Sequence, residues 1–154
     1  MTGPAERLAA LGLTLPPVVA PLAAYVPAVL VGGFVYTSGQ LPMVDGKLSA
    51  VGKVGGEVSA QEAADLARTC ALNAIAAAAA AAGGLDAISR VVKVTGFVAS
   101  APGFSGQPQV INGASELLIE VFGEDGRHAR SAVGVAELPL NTPVEVELIA
   151  QIRS

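Results

Sequence analysis

Two strand-like runs in the last quarter of the chain read Arg127-His128-Ala129-Arg130-Ser131-Ala132-Val133-Gly134 and Pro143-Val144-Glu145-Val146-Glu147-Leu148-Ile149. Side chains of a strand alternate between the two faces of a sheet, so Arg130 shares its face with Ala132, Gly134 and Ala136. These small neighbours leave space beside the planar guanidinium, which can bind a carboxylate through two parallel hydrogen bonds. The first run therefore predicts a pocket for a small carboxylate rather than a part of the core.

The second run carries two carboxylates on an otherwise apolar strand, in a chain that is only 14% charged. Alternation places Glu145 and Glu147 on the same face, and the pattern does not choose between them as the group that moves protons. A salt bridge from Arg130 to one of these carboxylates in a neighbouring subunit is the structural alternative to ligand binding, because arginine is common at interfaces.

The composition predicts a single domain that associates with copies of itself. The chain has 154 residues, 52% of them hydrophobic, and a mean hydropathy of +0.58. The longest weakly polar run, residues 70–82, is shorter than the roughly 20 apolar residues that a membrane span needs. We therefore expect no membrane association, and we expect the excess apolar surface to be buried between the subunits of a homo-oligomer.

Charge and cysteine content exclude several classes of partner and compartment. The formal net charge is −4, and the nine Lys and Arg residues are scattered along the sequence. Because they form no basic stripe, we expect no binding to nucleic acid. The N-terminus lacks the pattern of an export signal, and the single cysteine, Cys70, cannot form an internal disulfide. We expect a cytoplasmic protein in which Cys70 packs in the core.

The N-terminal half of the chain has clear element boundaries. Residues 1–24 are predicted to form a short helix, ended by Gly12, and an extended arm that Pro16-Pro17 enforces. The β-rich runs 26–31 and 34–37 flank Gly32-Gly33 and predict a hairpin. Ser59 and Glu62 form a capping-box pattern ahead of an uninterrupted helix over 60–82.

The C-terminal half continues the pattern of helices between strands. We predict a strand over 90–100, a loop over 101–107, a helix that begins near Pro108 and ends at Gly123, and strands over 130–137 and 144–152. The order β-β-α-β-α-β-β predicts an α+β domain over 25–154, with a mixed sheet and two helices packed on one face.

Four patches of the chain resemble the Rid family, also called YjgF-like, whose members are reactive-intermediate deaminases with a chorismate-mutase-like fold. The patches are Tyr25 through Thr37-Ser38-Gly39-Gln40-Leu41-Pro42, the helix from Ser59, Val110-Ile111-Asn112 with its helix, and Ala129-Arg130-Ser131 through Val144-Glu145-Val146-Glu147. The resemblance implies a homotrimer with ligand sites between subunits. It also implies hydrolysis of enamines and imines, such as 2-aminoacrylate, to 2-oxo acids and ammonia without cofactor or metal.

The resemblance also implies roles for individual residues. Arg130 matches the carboxylate-binding arginine and Glu145 the carboxylate that handles water, while the remaining pocket positions match Tyr25, Ser38 and Asn112. Ala132 stands where the best-studied branch has a cysteine, at a point where family members often use the main chain to bind substrate. Together with a longer N-terminal arm and a longer loop over 101–107, this difference implies a divergent branch.

Structural alternatives remain open for several of these residues. Tyr25 can cap a sheet edge, Ser38 can satisfy a local backbone group, and Asn112 can be exposed on the polar side of its helix. His128, the only histidine, is expected at the surface or at the rim of the site, and Glu147 is expected to be structural. A trimer that binds or senses small 2-oxo acids or a protein partner without catalysis is the alternative to a deaminase.

Overall fold

The computed structural model of the chain describes residues 2–18, 21 and 23–154, in which three helices and seven strands occur. In chain order they are α1 (Pro4–Ala10), β1 (Ala28–Val31), β2 (Phe34–Thr37), β3 (Met43–Val44), β4 (Lys47–Leu48), α2 (Ala60–Ala82), β5 (Ile88–Ala99), α3 (Gln107–Phe122), β6 (Ala129–Val135) and β7 (Val144–Ile152). Short 3₁₀ turns lie at Leu85–Ala87, Gly123–Gly126 and Pro139–Asn141.

Five of the strands form one mixed sheet in the order β1-β2-β7-β5-β6. β5 and β6 run parallel, and the other neighbouring strands pair antiparallel. α2 packs on β7 and β2, and α3 packs on β5 and β6, so both long helices lie on the same side of the sheet. The predicted α+β fold with its helices on one face is confirmed.

The first hairpin and the long helix form where local signals predict them. Gly32 and Gly33 both have positive φ, 57° and 83°, as a two-residue hairpin turn of type I′ requires. The Ser59 hydroxyl accepts a hydrogen bond from the Glu62 amide at 3.1 Å, and α2 ends at Gly83 with φ 91°. Local capping chemistry therefore determines both ends of α2.

The core lies between the two long helices and the sheet. Cys70 on α2 is fully buried, as predicted, and Leu66 and Ile75 on the same helix are also buried. The helices approach each other so closely that a methyl group added at Gly113 would overlap the carbonyl of Ala64. From the sheet, the core receives the alternate residues of its two central strands, Val94, Gly96 and Val98 of β5 and Val144, Val146, Leu148 and Ala150 of β7.

The other side of the sheet, which we call the open face, carries the remaining alternate residues. Val29, Val31 and Tyr36 are 50%, 57% and 44% exposed there. Both carboxylates of β7, Glu145 and Glu147, are also on this side and are half-buried. The open face thus combines exposed apolar side chains with two acidic groups.

Several boundaries differ from the sequence-based predictions; β5, for example, spans Ile88–Ala99 rather than residues 90–100. β1 begins at Ala28 rather than at residue 26, since Pro27 has no N–H to donate and only its carbonyl bonds, to the Ser38 amide. β6 ends at Val135 rather than at residue 137 because its parallel partner ends at Ala99. The turn predicted at Asp45-Gly46 joins a further two-stranded hairpin, β3 and β4.

Among the described residues, no helix is long and apolar enough to cross a membrane.

Candidate functional site

Arg130 lies on β6 with its side chain on the helix side of the sheet. It pairs in register with Val94, whose side chain is in the core. Guanidinium Nη1 donates to Ser115 Oγ at 3.1 Å and Nη2 donates to the Pro108 carbonyl oxygen at 3.2 Å, so α3 determines its orientation. Such orientation lowers the entropic cost of ligand binding, because the side chain is already immobilised.

A hollow of about 240 Å³ opens beside this guanidinium, and we call it the Arg130 hollow. One wall is a stripe of α3, where residues three and four apart lie above one another. The other wall is the chain that leads into β6. The lining residues are Asn112, Ser115, Ile119, Arg127, His128 and Arg130. This space does not lie where the sequence pattern placed it: it lies beside Ser115 and His128, and the small residues Ala132, Gly134 and Ala136 are not among its lining residues.

The small residues that follow Arg130 on β6 let α3 approach. A Cβ at Gly134 would lie 2.7 Å from Nε2 of Gln107, the first residue of α3. Ala132 is half-buried and its methyl group packs against the core. Ala132 is thus on the same face as Arg130, but its side chain is not among those that line the hollow.

His128 is half-buried at the rim of the Arg130 hollow. Its Nδ1 lies 2.6 Å from the Gly126 carbonyl oxygen and its Nε2 lies 2.9 Å from Ser115 Oγ. A carbonyl oxygen only accepts, so Nδ1 carries the proton of the neutral ring. Burial lowers the pKa of His128, and the positive charge of Arg130 lowers it further, while the bond to Gly126 opposes both effects.

Arg130 has no carboxylate partner within 4.0 Å in the described part of the chain. The ion pairs found there join Lys53 to Glu137, Arg68 to Glu120 and Arg127 to Glu124. Within one chain, therefore, neither Glu145 nor Glu147 neutralises Arg130. The guanidinium keeps its charge available to an anion in the hollow.

Glu145 lies on the open face, on the side of the sheet opposite to Arg130. It pairs in register with Phe97 of β5, and its carboxylate lies against Gly39, where a methyl group would overlap it. Burial raises the pKa of Glu145, and the neighbouring charge of Glu147 raises it further. A carboxylate of this kind is suited to take and return a proton nearer to neutral pH.

Ser38 and Tyr25 lie at the same end of the molecule as Glu145. The Ser38 hydroxyl donates to the Val26 carbonyl oxygen at 2.6 Å, which is the local backbone contact that the sequence left open as an alternative. Ser38 immediately precedes Gly39, so it is next to the Glu145 carboxylate. Tyr25 is 57% exposed just before β1.

Asn112 is exposed on α3 and lies between two depressions. It lines the Arg130 hollow, and it also lines a groove of about 470 Å³ between α2 and α3. The six predicted site residues therefore form two groups in one chain. Arg130, Asn112 and Ala132 lie on the helix side, whereas Glu145, Ser38 and Tyr25 lie towards the open face and the start of β1.

Sequence comparison assigns the chain to a known family. A profile of the family described as "YjgF/chorismate_mutase-like, putative endoribonuclease" matches residues 5–152. The chain belongs to this YjgF-like family. Protein TCP17 of Trypanosoma cruzi is 44% identical to it over 151 residues, which are 97% of this chain and 94% of that protein.

Solved structures of YjgF-like proteins separate into nearer and more distant relatives. The crystal structure of Atu1372, a protein of unknown function from Agrobacterium tumefaciens, is similar with 49% identity and a TM-score of 0.88, over 97% of this chain and 92% of that chain. E. coli TdcF with bound serine is similar with 29% identity and a TM-score of 0.61, over 88% of this chain and 92% of that chain. The predicted family is confirmed, and the lower TM-score of TdcF agrees with a divergent branch.

Sequence reasoning missed two contributors to the site of this YjgF-like chain. Ser115 is the side chain that holds Arg130, and the spacing of Asn112, Ser115 and Ile119 along one helix face could have indicated it. His128 was expected at the rim, but its bond to Ser115 was not predicted. Since His128 precedes Arg130 by two residues, strand alternation alone would place both on one face.

In the described residues, no group of three or more His, Cys, Asp or Glu side chains could hold a metal ion.

Proposed function

We propose that this chain hydrolyses small enamine and imine intermediates of the 2-aminoacrylate type to 2-oxo acids and ammonia, without cofactor or metal. The observation that carries the proposal is Arg130, a guanidinium held by two hydrogen bonds beside a hollow and free of a carboxylate partner among the described residues. A bidentate arginine is the usual recognition group for a small carboxylate. The crystal structure of the relative TdcF contains serine, an amino acid of matching size.

We further propose that the reaction takes place between subunits of a homotrimer. Arg130 and Glu145 lie on opposite sides of one sheet, so a single chain does not bring them together. A second copy that covers the open face would bury the exposed Val29, Val31 and Tyr36. It would also allow Glu145 of one copy to face the Arg130 hollow of the other.

In the proposed reaction, Arg130 binds the carboxylate of the imine and holds its carbon in a fixed position. Glu145 accepts a proton from water as the water oxygen bonds to the imine carbon. Glu145 returns this proton to the imine nitrogen, which gives a carbinolamine. Glu145 then takes the hydroxyl proton of the carbinolamine and passes it to the amine as the carbon–nitrogen bond breaks, so that ammonia and the 2-oxo acid leave and Glu145 is again ionised. Burial and the charge of Glu147 raise the pKa of Glu145, which brings its proton affinity closer to neutral pH and supports uptake and release of the proton.

The test generates 2-aminoacrylate with a serine dehydratase and follows the loss of the imine. We expect the wild-type protein to accelerate this loss, and we expect Arg130→Ala to lower kcat/KM on the order of 100-fold, since two charge-assisted hydrogen bonds are removed. Arg68→Ala is the matched control, because it removes a guanidinium that pairs with Glu120 away from the hollow. An Arg130→Ala variant with the full rate would refute the anchoring role.

A non-catalytic trimer that binds small 2-oxo acids is the second candidate function. It is favoured by Ala132, whose methyl group packs against the core and supplies no thiol. Calorimetry that detects binding of 2-oxobutyrate, together with no imine turnover, would favour this candidate.

Because the net charge is −4, we expect no cleavage of RNA when the same preparations are incubated with it.

A further inference from the structure

A continuous chain of hydrogen bonds joins His128 to Arg130 through Ser115. His128 Nδ1 bonds to the Gly126 carbonyl at 2.6 Å, and Nε2 lies 2.9 Å from Ser115 Oγ. Arg130 Nη1 donates to the same Oγ at 3.1 Å. The Ser115 hydroxyl is therefore shared between an imidazole and the guanidinium that we propose as the anion anchor.

The protonation state of His128 determines where the Ser115 hydroxyl proton points. In the neutral ring, Nδ1 donates to Gly126 and Nε2 has only a lone pair, so the hydroxyl donates to Nε2. In the protonated ring, Nε2 becomes a donor, and Ser115 Oγ must accept from it as well as from Arg130. The Ser115 hydroxyl proton then turns away from the imidazole and can be donated to another acceptor.

We propose that Ser115 and His128 belong to the anion site, and that a proton on His128 redirects the Ser115 hydroxyl to a carboxylate bound in the Arg130 hollow. The inference rests on the proposed function, since it takes Arg130 as the anchor. Ser115 supplies a further donor to the ligand, while His128 acts through Ser115 as a positioning residue. Binding of a small carboxylate and protonation of His128 then strengthen each other.

The charges around His128 support this coupling. Arg130 and Arg127 both line the hollow, Glu124 pairs with Arg127 at 3.2 Å, and Arg90 of β5 donates to the Arg127 carbonyl. The α3 wall of the hollow contributes only groups that do not titrate, Asn112, Ser115 and Ile119. A proton on His128 therefore meets mainly positive charge, and a bound carboxylate would offset it. Linkage requires that the two effects be reciprocal.

The first experiment follows the single imidazole of the chain by NMR. We expect the His128 pKa to lie below 6.5 in the free protein, as burial and Arg130 dictate, and to rise when 2-oxobutyrate saturates the site. In Arg130→Ala the pKa of the free protein should rise, because a neighbouring positive charge is removed. An unchanged pKa in Arg130→Ala would overturn the inference without any use of a ligand.

The second experiment measures 2-oxobutyrate affinity by calorimetry between pH 8 and pH 5.5. We expect wild-type affinity to increase by at least about fivefold as the pH falls, the lower end for coupled sites. His128→Gln should still bind the ligand but without this dependence, and Ser115→Ala should flatten it. Glu145→Gln should keep the pH dependence, which excludes that carboxyl as its source.

The outcomes separate this inference from the proposed function. Binding that needs Arg130 but is equally strong at every pH would overturn the role of His128 and leave the anchor intact. A pH dependence that persists in His128→Gln would do the same. A failure of 2-oxobutyrate to bind at any pH would overturn the anchor and this inference together.

Discussion

The two sides of the sheet place their charged residues in different surroundings. On the helix side, Arg130 is held by α3 through two hydrogen bonds and lies beside a hollow that the chain forms by itself. On the open face, Glu145 has no side-chain hydrogen-bond donor among the described residues, and it is half-buried on a side of the sheet that also exposes apolar side chains. The anion anchor on the helix side is complete in a single chain, whereas the surroundings of Glu145 on the open face are not.

This difference indicates how the proposed site is divided. An anchor that must recognise a carboxylate gains from being fixed in advance, since less freedom is lost on binding. A carboxylate that must exchange protons gains from a raised pKa, which a partly apolar surface provides. The helix side of the sheet supplies the anchor that is fixed in advance. A second copy packed on the open face would bury Glu145 further and so raise its pKa further.

The largest expected effect is on assembly. Val29 lies on the open face opposite Tyr36, and Val29→Lys would place a charge where we propose that a second copy packs. We expect this variant to change from trimer to monomer, as measured by light scattering after gel filtration. Leu11→Lys at the end of α1, on the helix side, is the control and should keep the wild-type mass. A trimeric Val29→Lys protein would show that subunits associate through another surface.

A smaller effect is expected from Gly39, which lets the Glu145 carboxylate lie against the backbone. Gly39→Ala adds a methyl group that overlaps this carboxylate and displaces it. We expect imine turnover to fall about tenfold with little change in the melting temperature, because misplaced catalytic groups lose rate steeply. At Gly56 an added methyl group would meet its nearest neighbour at 3.4 Å, so Gly56→Ala is a fair control. Equal rates in both variants would exclude Glu145 as the proton carrier.

The smallest effect concerns the acid limb of the pH–rate profile. Glu145 must be ionised to accept a proton from water, so the rate should fall as the pH drops through its pKa. Since the charge of Glu147 raises that pKa, Glu147→Gln should move the limb to lower pH, by less than about one pH unit. Glu145→Gln should remove the limb together with most of the rate. The reverse pattern would assign the proton-transfer role to Glu147.

Most of the fold could be predicted because its signals are local. Ser59 and Glu62 mark one end of α2, Gly83 marks the other, and the predicted helix over 60–82 is the observed one. The pair β3 and β4 was predicted only as a turn, since strands of two residues leave no hydrophobic pattern to detect. The extent of β6 depends on where β5 ends, and that is a property of the pairing rather than of the β6 sequence.

The candidate site was predictable residue by residue but not in its arrangement. Alternation determines which residues share a face within one strand, and it correctly grouped Arg130 with Ala132 and Gly134. Whether the Arg130 face of β6 coincides with the Glu145 face of β7 depends on the register of β5 between them. The bond from Ser115 to Arg130 likewise depends on how α3 lies across the sheet. The division of the residues at 1–24 and 25–154 stays a prediction.

The run of seven alanines at the end of α2 has a consequence for how the domain forms. Four of them in succession, residues 76–79, are buried, so the helix is enclosed on every side at this turn. An alanine has no rotamers to freeze, and docking this segment therefore costs backbone freedom but almost no side-chain freedom. This end of α2 therefore packs with little loss of side-chain entropy, whereas the Arg130 side chain has many rotamers and is ordered by its bonds to Ser115 and Pro108.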